Sequence, residues 1–490
     1  MQFIKYYLTF LCFLSFNILL AQNYHAINGS SYAGSLSPNN NPASIVHVPY
    51  AWDVTPFAVQ MKQTTNAFKI EKYSLLSSPK NIEISMQNGE MKRFIFSNQD
   101  IRLFNARINI NAKAAIAFGA TVRNYSYATT SKVNAQDTTQ TLRDFFALNI
   151  NNTPLSADVA VSSWAELYGT YAQTIIDEDE KLLNAGVTIK INRSLAGGYG
   201  RADDLNYSTF SGANNAGYIL NKGNLQYGYS SNFDKIDSNN SFRTNVKNFL
   251  QNTYSNISAD IGLEYILRTN EDNEEGGEYA YNTKIGVSVM DIGNNKYKYS
   301  KYSSLAVAGK AGIIDTLIEN KLFSTVNSIA GFRDSLASIS SSFTQLIGNF
   351  SVYQPTRLVV NVDQHIVHNF FVNAQFTVPL LSLFSNKIIY LKDINLLAIT
   401  PRWEIKALGA YMPILYNNRN QLWVGAALKV GPILLGTHNL ANLFSNNKMQ
   451  VGGFYLALTI RPGKIYERAA HYPDSKSSLK QIKNLGCPKL

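Results

Sequence analysis

Apolar and polar residues alternate strictly along several long segments of the chain. In residues 183–191 apolar side chains occupy nearly every odd position, whereas Asn184 and Lys190 are among the polar residues between them. The same period of two recurs in 257–267 and 370–378. Because successive side chains of a β-strand point to opposite faces, each segment is predicted to be a strand with one apolar and one polar face.

Many of the alternating runs are longer than ordinary strands. Similar runs extend over residues 56–70, 101–127, 162–176, 279–291, 398–416, 421–438 and 449–461. Strands of soluble proteins average about five or six residues, whereas a tilted membrane strand needs roughly 9–11. The pattern therefore predicts an all-β fold, a transmembrane antiparallel β-barrel of about 14 strands. A secreted soluble all-β adhesin is the alternative that needs no membrane.

Two further features favour a membrane-spanning barrel over a soluble protein. Aromatic residues cluster near the ends of several runs, as in the stretches RNYSYATT, NNKYKYSKY, GAYMPILY and NLQYGYSSN. Such clusters are typical of the aromatic girdles of transmembrane barrels. Beyond the N-terminus, no segment approaches the roughly 18 consecutive apolar residues of a spanning helix, so any crossing is expected to use strands.

One stretch departs from the strand pattern. Between about 311 and 343, apolar residues recur mostly at intervals of three and four, which predicts an amphipathic helical insertion in two pieces interrupted near Gly331. A shorter helix is predicted at 138–148. The sequence leaves open whether the insertion is a periplasmic cap, an external lid or an insert in the lumen.

The N-terminus predicts export. Lys5 precedes an apolar run of about 15 residues that ends before Ala21, which is the layout of a signal peptide and is short for a membrane span. We therefore divide the chain into a signal peptide (1–21), a turn-rich plug (22–51) and a barrel (52–462). The remaining residues, 463–490, are predicted to form a basic periplasmic tail.

Charge and cysteine content exclude several kinds of function. The 490 residues contain 44 Lys and Arg and 33 Asp and Glu, a net charge of +11, which in an exported protein suits phosphate-rich membrane surfaces better than nucleic acid. Without the signal peptide, Cys487 is the sole cysteine, so neither an internal disulfide nor a cysteine-rich metal site is expected. No G-x-S-x-G motif is present. We predict no enzyme activity, catalytic residue, cofactor or metal.

Charged residues recur on the polar faces of the predicted strands. Because a charge is costly on the lipid face, these side chains are predicted to point into the lumen. They are Arg123, Lys190, Asp260, Glu264, Arg268, Lys284, Asp291, Arg357, Asp363, Arg402, Glu404 and Lys406. The mixture of both signs suggests ion pairs across the lumen or a wet interior.

Several short motifs resemble a known group. They are LLAQ at the end of the signal, SYAGSLSPNNNPASI, ISADIGLEY, KIGVSVMDIG, YQPTRLVVNVD and LGCPKL. Together they resemble an uncharacterised family of Bacteroidota outer-membrane β-barrels that is similar to the FadL transporters and the PorV secretion proteins. Asn41, Pro42 and Ala43 match the NPA element of that wider group. The resemblance implies that this element belongs to a plug or gate inside the barrel.

The resemblance implies an outer-membrane location and two classes of function. The first is a FadL-like passive channel for a small or hydrophobic solute, although the mixed lumen charge argues against a purely apolar pathway. The second is a PorV-like scaffold for secretion or surface attachment of another exported protein. The expected partners are outer-membrane lipid and lipopolysaccharide, together with a small solute or an exported protein.

Overall fold

The chain folds into a closed antiparallel β-barrel of 14 strands. The computed structural model describes residues 25–71, 83–137, 141–211, 216–268, 281–308, 312–324, 326–381, 388–444 and 450–462. The predicted signal peptide (1–21) and basic tail (463–490) lie outside the described residues. The wall strands are β1 Trp52–Thr65, β2 Gly89–Asn111, β3 Ala114–Ala135, β4 Leu155–Asp177, β5 Lys181–Ser211, β6 Ser255–Arg268, β7 Tyr281–Lys298, β8 Arg357–Val367, β9 Phe370–Pro379, β10 Leu396–Glu404, β11 Leu408–Tyr411 with Ile414–Asn417, β12 Leu422–Val424 with Ala426–Val430, β13 Ile433–Thr437 and β14 Val451–Gly452 with Phe454–Ile460.

The barrel closes between the first and the last strand. β1 pairs with β2 along one edge and with β14 along the other, where Ala58 lies opposite Ala457. Every other wall strand pairs with its neighbours in chain order. Closure leaves no open edge in the wall, so its backbone groups are paired where no water is available. The predicted strand number is confirmed.

The polarity of the wall is inverted relative to a soluble protein. In β5, Ile189 and Ile191 are each 59% exposed, whereas Thr188 and Lys190 are buried. In β6, Ile257 is 72% exposed and Asp260 is buried. Apolar side chains therefore face outward and polar ones inward, as the alternation predicts. A continuous apolar outer surface of this kind belongs in lipid, and the barrel is a transmembrane one.

The two ends of the barrel differ. At one end the wall strands are joined by short turns at 112–113, 178–180, 368–369, 405–407 and 431–432. β1 begins and β14 finishes at this same end, which we call the short-turn end. Longer connections, including most of the remaining strands and helices, lie at the opposite end, which we call the long-connection end.

A sheet extends beyond the wall at the long-connection end. β5 is 31 residues long: its first part pairs with β6, and its later part pairs with the strand Ala216–Tyr229. The remaining strands of this end are Ser304–Val307, Ile313–Ile314, Ser342–Gln345, Asn349–Tyr353 and a separate hairpin, Phe68–Glu71 with Glu83–Met86. Because β5 belongs to both parts, the extension continues the wall directly.

Short helices complete the long connections. They are α1 Leu142–Asn149, α2 Phe242–Gln251, α3 Asp315–Ile318, which continues into a π-helical turn at Glu319–Ser324, α4 Ile329–Ile339 and α5 Ala441–Phe444. Single 3₁₀ turns occur at Ile150–Asn152 and Phe233–Lys235. None of the helices in the described part of the chain has the length and apolar character that a membrane-spanning helix requires.

The predicted helical insertion is present in two pieces, as the sequence pattern indicates. The interruption lies directly before α4, close to the predicted position near Gly331, and Gly331 itself lies in the first turn of α4. The side chain of Ser328 caps this helix by accepting a hydrogen bond from the Gly331 amide at 3.0 Å. Residues 342–345 form a strand rather than the end of a helix, because they pair with Ser304–Val307.

The inverted polarity generates a stability prediction. Ile189→Lys would place a charge on the lipid face of β5, and we expect it to lower the free energy of unfolding by about 2–4 kcal/mol. Urea titration in lipid vesicles, followed by tryptophan fluorescence, measures this change. Asn418→Lys adds the same charge in an exposed turn and should change the free energy of unfolding by less than about 0.5 kcal/mol. Equal effects of the two substitutions would contradict an outward apolar wall.

Candidate functional site

Residues 25–51, called the plug here, lie inside the barrel in the half nearest the short turns. The plug contains three 3₁₀ turns, His25–Ile27, Gly34–Asn39 and Pro42–Ile45, and most of its side chains are buried. Ile45 packs on small residues of the wall, including Ala115. The segment is therefore an integral part of the folded barrel.

The NPA element forms a capped turn that also contacts the wall. Asn41 has an extended backbone, and its Oδ1 accepts a hydrogen bond from the Ala43 amide at 2.9 Å. Pro42 occupies the first helical position, where its fixed φ suits a helix start and its missing N–H is not needed. The Nδ2 of Asn41 donates to the Leu263 carbonyl of β6 at 2.9 Å. One side chain thus shapes the turn and fixes it to the wall.

Three inward-facing glycines form the seat of this turn. Gly186, Gly262 and Gly286 lie on the adjacent strands β5, β6 and β7. A Cβ on Gly262 would lie 2.1 Å from the Asn41 Oδ1, and a Cβ on Gly186 would lie 2.5 Å from the Pro42 carbonyl carbon. A Cβ on Gly286 would lie 2.9 Å from the Asn41 Nδ2. We call these residues the glycine seat, because the plug occupies the space that side chains would fill.

Polar wall side chains hold the rest of the plug. The Nδ2 of Asn28 donates to Gln375 of β9 at 2.8 Å. The Ser288 hydroxyl of β7 donates to the Asn40 carbonyl at 2.6 Å. The plug therefore satisfies wall groups that would otherwise face an empty lumen.

A buried arginine fixes the exit of the plug into β1. The Nε of Arg107 in β2 donates to the Ile45 carbonyl at 2.6 Å, and its Nη1 donates to the Tyr50 carbonyl at 2.8 Å. The same guanidinium forms an ion pair with Asp53 at 3.4 Å, and both side chains are fully buried. This pair was not predicted from the sequence.

Asp291 is the centre of the larger charge cluster. Its carboxylate lies 2.6 Å from the Arg123 Nη1 and 2.7 Å from the Lys190 Nζ, and it also contacts Arg357. Lys190 forms a second ion pair with Asp260 at 2.8 Å. All five side chains are buried. Asp291 has a positive φ of 58°, at a bulge where the pairing of β7 with β6 shifts, and this bend turns its carboxylate toward the three cations.

Arg402 organises a second cluster beside the plug. Its Nη2 donates to Asp363 at 2.7 Å and to the Tyr281 hydroxyl at 2.8 Å, and its Nε lies 2.9 Å from Glu404. Glu404 in turn accepts a hydrogen bond from the Ser30 hydroxyl of the plug at 2.8 Å. The second cluster therefore connects three wall strands to the plug.

The other predicted lumen charges occupy different positions. Glu264 is buried, and the Nζ of Lys284 donates to the Ser31 hydroxyl of the plug at 2.9 Å. Arg268 lies at the short-turn rim, where its Nη2 forms an ion pair with Asp177 at 2.8 Å. Lys406 is exposed in the turn between β10 and β11, because the strand ends before this residue. Among the described residues, no group of three or more His, Cys, Asp or Glu side chains could hold a metal.

A small polar cavity lies between the plug and the wall. Its volume of about 20 Å³ holds water but no solute. The lining residues come from the plug and five wall strands: Asn28, Leu36, Asn39, Asn40, Asp100, Arg102, Thr121, Arg123, Lys190, Asp291 and Arg357. The cavity therefore has a polar lining and room for no more than a water molecule.

An aromatic cluster lies inside the barrel toward the long-connection end. Trp164, Tyr125, Tyr297 and Phe350 pack together with the apolar residues of the connection 388–395. The same connection is held by an ion pair of Asp393 with Lys62 at 3.0 Å and one of Lys392 with Asp158. We call residues 388–395 the inner loop. In the described structure, the plug and the inner loop therefore pack against inward-facing wall residues in the two halves of the barrel.

The glycine seat generates a prediction about the plug. Gly262→Ala would place a methyl group on the side chain of Asn41, and we expect the plug to leave its seat more often. A membrane-impermeant thiol reagent should then label Ser35→Cys faster, because Ser35 is fully buried when the plug is seated. Gly169→Ala in β4 is the matched control, because no atom lies within 4 Å of its added Cβ. Unchanged labelling in the Gly262→Ala protein would contradict the seat.

The Asp291 cluster generates a prediction about stability. Asp291→Asn keeps a residue that tolerates the positive φ but removes the negative charge shared by three buried cations. We expect a loss of about 3–5 kcal/mol in the free energy of unfolding, as when one partner of a buried ion pair is removed. Urea titration in vesicles measures it. Asp179→Asn, in the exposed turn 178–180, should have almost no effect.

Comparison with known proteins places the chain in a family. One similar solved structure is a Pseudomonas aeruginosa FadL homologue, with 11% sequence identity over 90% of this chain and 98% of that chain and a TM-score of 0.40. Another is the Ralstonia pickettii toluene transporter TbuX, with 11% sequence identity over 92% of this chain and 96% of that chain and a TM-score of 0.38. A deletion mutant of the monoaromatic hydrocarbon channel TodX is also similar, with 10% sequence identity over 90% of this chain and 98% of that chain and a TM-score of 0.40. Curated proteins gave no match. Residues 42–438 match the sequence model of a family of unknown function, DUF5723, and the chain belongs to that family.

Proposed function

We propose that the protein is a non-enzymatic, FadL-like passive channel of the outer membrane that admits a small solute when the plug leaves its seat. The observation that carries this proposal is the seating of a separate, turn-rich segment inside a closed barrel by hydrogen bonds and a glycine-lined surface. Such hydrogen bonds are worth about 0.5–1.5 kcal/mol each between neutral groups and about 1.5–3 kcal/mol when one group is charged. They lie outside the strand pairing of the wall, so they can open without unfolding it. Asn41, Pro42 and Ala43 are the proposed gate residues.

The short-turn end is proposed to face the periplasm. Outer-membrane barrels have short periplasmic turns and longer extracellular loops, and both ends of this wall finish at the short turns. With this orientation, the plug closes the periplasmic half of the lumen. The sheet extension, α4 and the inner loop then lie toward the cell exterior, so the helical insertion is an external element.

The lining of the lumen supports a solute with polar groups. The cavity between the plug and the wall is lined mainly by charged and amide side chains. An apolar molecule in this position would separate these groups from their hydrogen-bonding partners, at a cost of about 1–3 kcal/mol for each buried group left unsatisfied. We therefore favour a small polar or amphipathic solute over a hydrocarbon of the kind named for TodX and TbuX.

A second candidate function is a PorV-like scaffold for an exported protein. Buried ion pairs such as Arg402–Asp363 connect the wall around the plug, and a lumen held in this way suits a barrel that never opens. The extension of β5 beyond the wall would then offer the binding surface. The two functions differ in one measurable property, which is solute flux through the lumen.

Solute flux into vesicles that contain the protein tests the proposed channel. Deleting residues 28–44 removes the seated turn, and we expect faster entry of small sugars and amino acids into vesicles that contain the deleted protein. Gly262→Ala should give an intermediate rate, and Gly169→Ala the rate of the unaltered protein. Heat-dependent gel mobility establishes that each variant still forms a closed barrel. If flux through the Gly262→Ala protein stays unchanged while Ser35→Cys in that protein becomes accessible, the plug moves without opening a path, and the scaffold is favoured.

A further inference from the structure

α2 carries an apolar stripe that is exposed at the surface of the described protein. Phe242, Val246 and Leu250 follow each other at intervals of four and are 85%, 40% and 42% exposed. Because residues four apart lie on one side of a helix, they form a single stripe. Thr244 and Lys247 lie toward the opposite side. The helix is short and amphipathic, with its apolar face toward the surroundings.

This stripe is continuous with the lipid-facing surface of the wall. Arg193 is the outward residue two positions beyond Ile191 in β5, and its Nη2 donates to the Leu250 carbonyl at 3.4 Å. Its Nη1 donates to the Ser255 hydroxyl, where β6 begins, two residues before the highly exposed Ile257. The last turn of α2 is therefore attached to the outer face of the barrel, directly above the apolar belt.

The surroundings of α2 are basic. Exposed cations on the helix and on the outward faces of β5 and β7 are Arg193, Arg243, Lys247, Lys296 and Lys298. The preceding turn adds Lys235 and two exposed carboxylates, Asp234 and Asp237. Six cations thus meet two anions at the level where the apolar belt ends. A row of cations at this height is complementary to the phosphate groups of lipids.

We infer that α2 lies in the headgroup layer of the leaflet at the long-connection end, with its apolar stripe toward the acyl chains and its basic residues bound to anionic lipid headgroups. Amphipathic helices with basic polar faces adopt this position at membrane interfaces. The helix would anchor the connection between β5 and β6 in the lipid. The inference depends on the transmembrane wall but not on the channel function.

Spin labels in lipid nanodiscs test this inference. In full-length protein with Cys12 and Cys487 replaced by Ser, single labels are placed at Val246→Cys, Thr244→Cys and Ile191→Cys. Collision rates with oxygen, which concentrates among acyl chains, are compared with those of a water-soluble nickel chelate. We expect the oxygen-to-nickel ratio to be severalfold higher at position 246 than at position 244, and similar to that at position 191.

A change of lipid composition tests whether anionic headgroups bind the basic residues of α2. Adding phosphatidylglycerol to phosphatidylcholine nanodiscs should raise the ratio at position 246, and Arg243→Gln with Lys247→Gln should abolish this increase. Equal ratios at positions 244 and 246, with a high ratio at 191, would overturn the placement of α2 but not the membrane wall. A low ratio at 191 would overturn both. An increase that persists in the double variant would overturn the role of the two basic residues.

Discussion

The pairing of backbone groups in lipid is the constraint from which the rest of this structure follows. A sheet inside a membrane must close, because an unpaired edge would bury N–H and C=O groups without partners. Closure between β1 and β14 turns every second side chain inward. Those side chains are largely polar and charged, and they need partners of their own. The clusters around Asp291 and Arg402 and the contacts of the plug satisfy this second requirement.

The plug solves a packing problem as well as an electrostatic one. Long polar side chains in a lumen keep a compact turn away from the backbone of the wall. At Gly186, Gly262 and Gly286 the wall consists of backbone alone, and the Asn41 turn contacts it directly. The missing side chains therefore determine where the plug binds. The charged residues around them determine what else it contacts.

Much of the wall could be predicted from the sequence, because a period of two is a local property. The alternation in β5 and β6 identified which residues face lipid and which face the lumen. The pairing of Arg123 with Asp291, 168 residues away, could not be derived, since it depends on which strands meet across the barrel. The glycine seat was also missed. Gly186 and Gly262 stand at inward positions of neighbouring strands, and that coincidence was the available signal.

The exact start of α4 and the full length of β5 were harder to predict from the sequence. The break of the helical insertion was predicted near Gly331, and the cap formed by Ser328 decides the residue at which α4 begins. The length of β5 was likewise hidden, because its later half pairs with a strand outside the barrel and carries no continuous apolar face. A period of two marks a strand that has one apolar and one polar surrounding. Only the first part of β5 lies in the wall, where one face meets lipid, so only that part shows the period.

The contacts of the plug impose an order on the assembly of the protein. Asn28 and Ser30 bind residues 347 and 374 positions later in the chain, and the Tyr32 carbonyl accepts a hydrogen bond from Arg461, 429 positions later. The plug is among the first segments of the described chain to be synthesised, yet its site is complete only when the last strands are in place. A wall without its last strands can hold the Asn41 turn through β5, β6 and β7, but it lacks these three contacts. Complete seating of the plug therefore requires the closed ring.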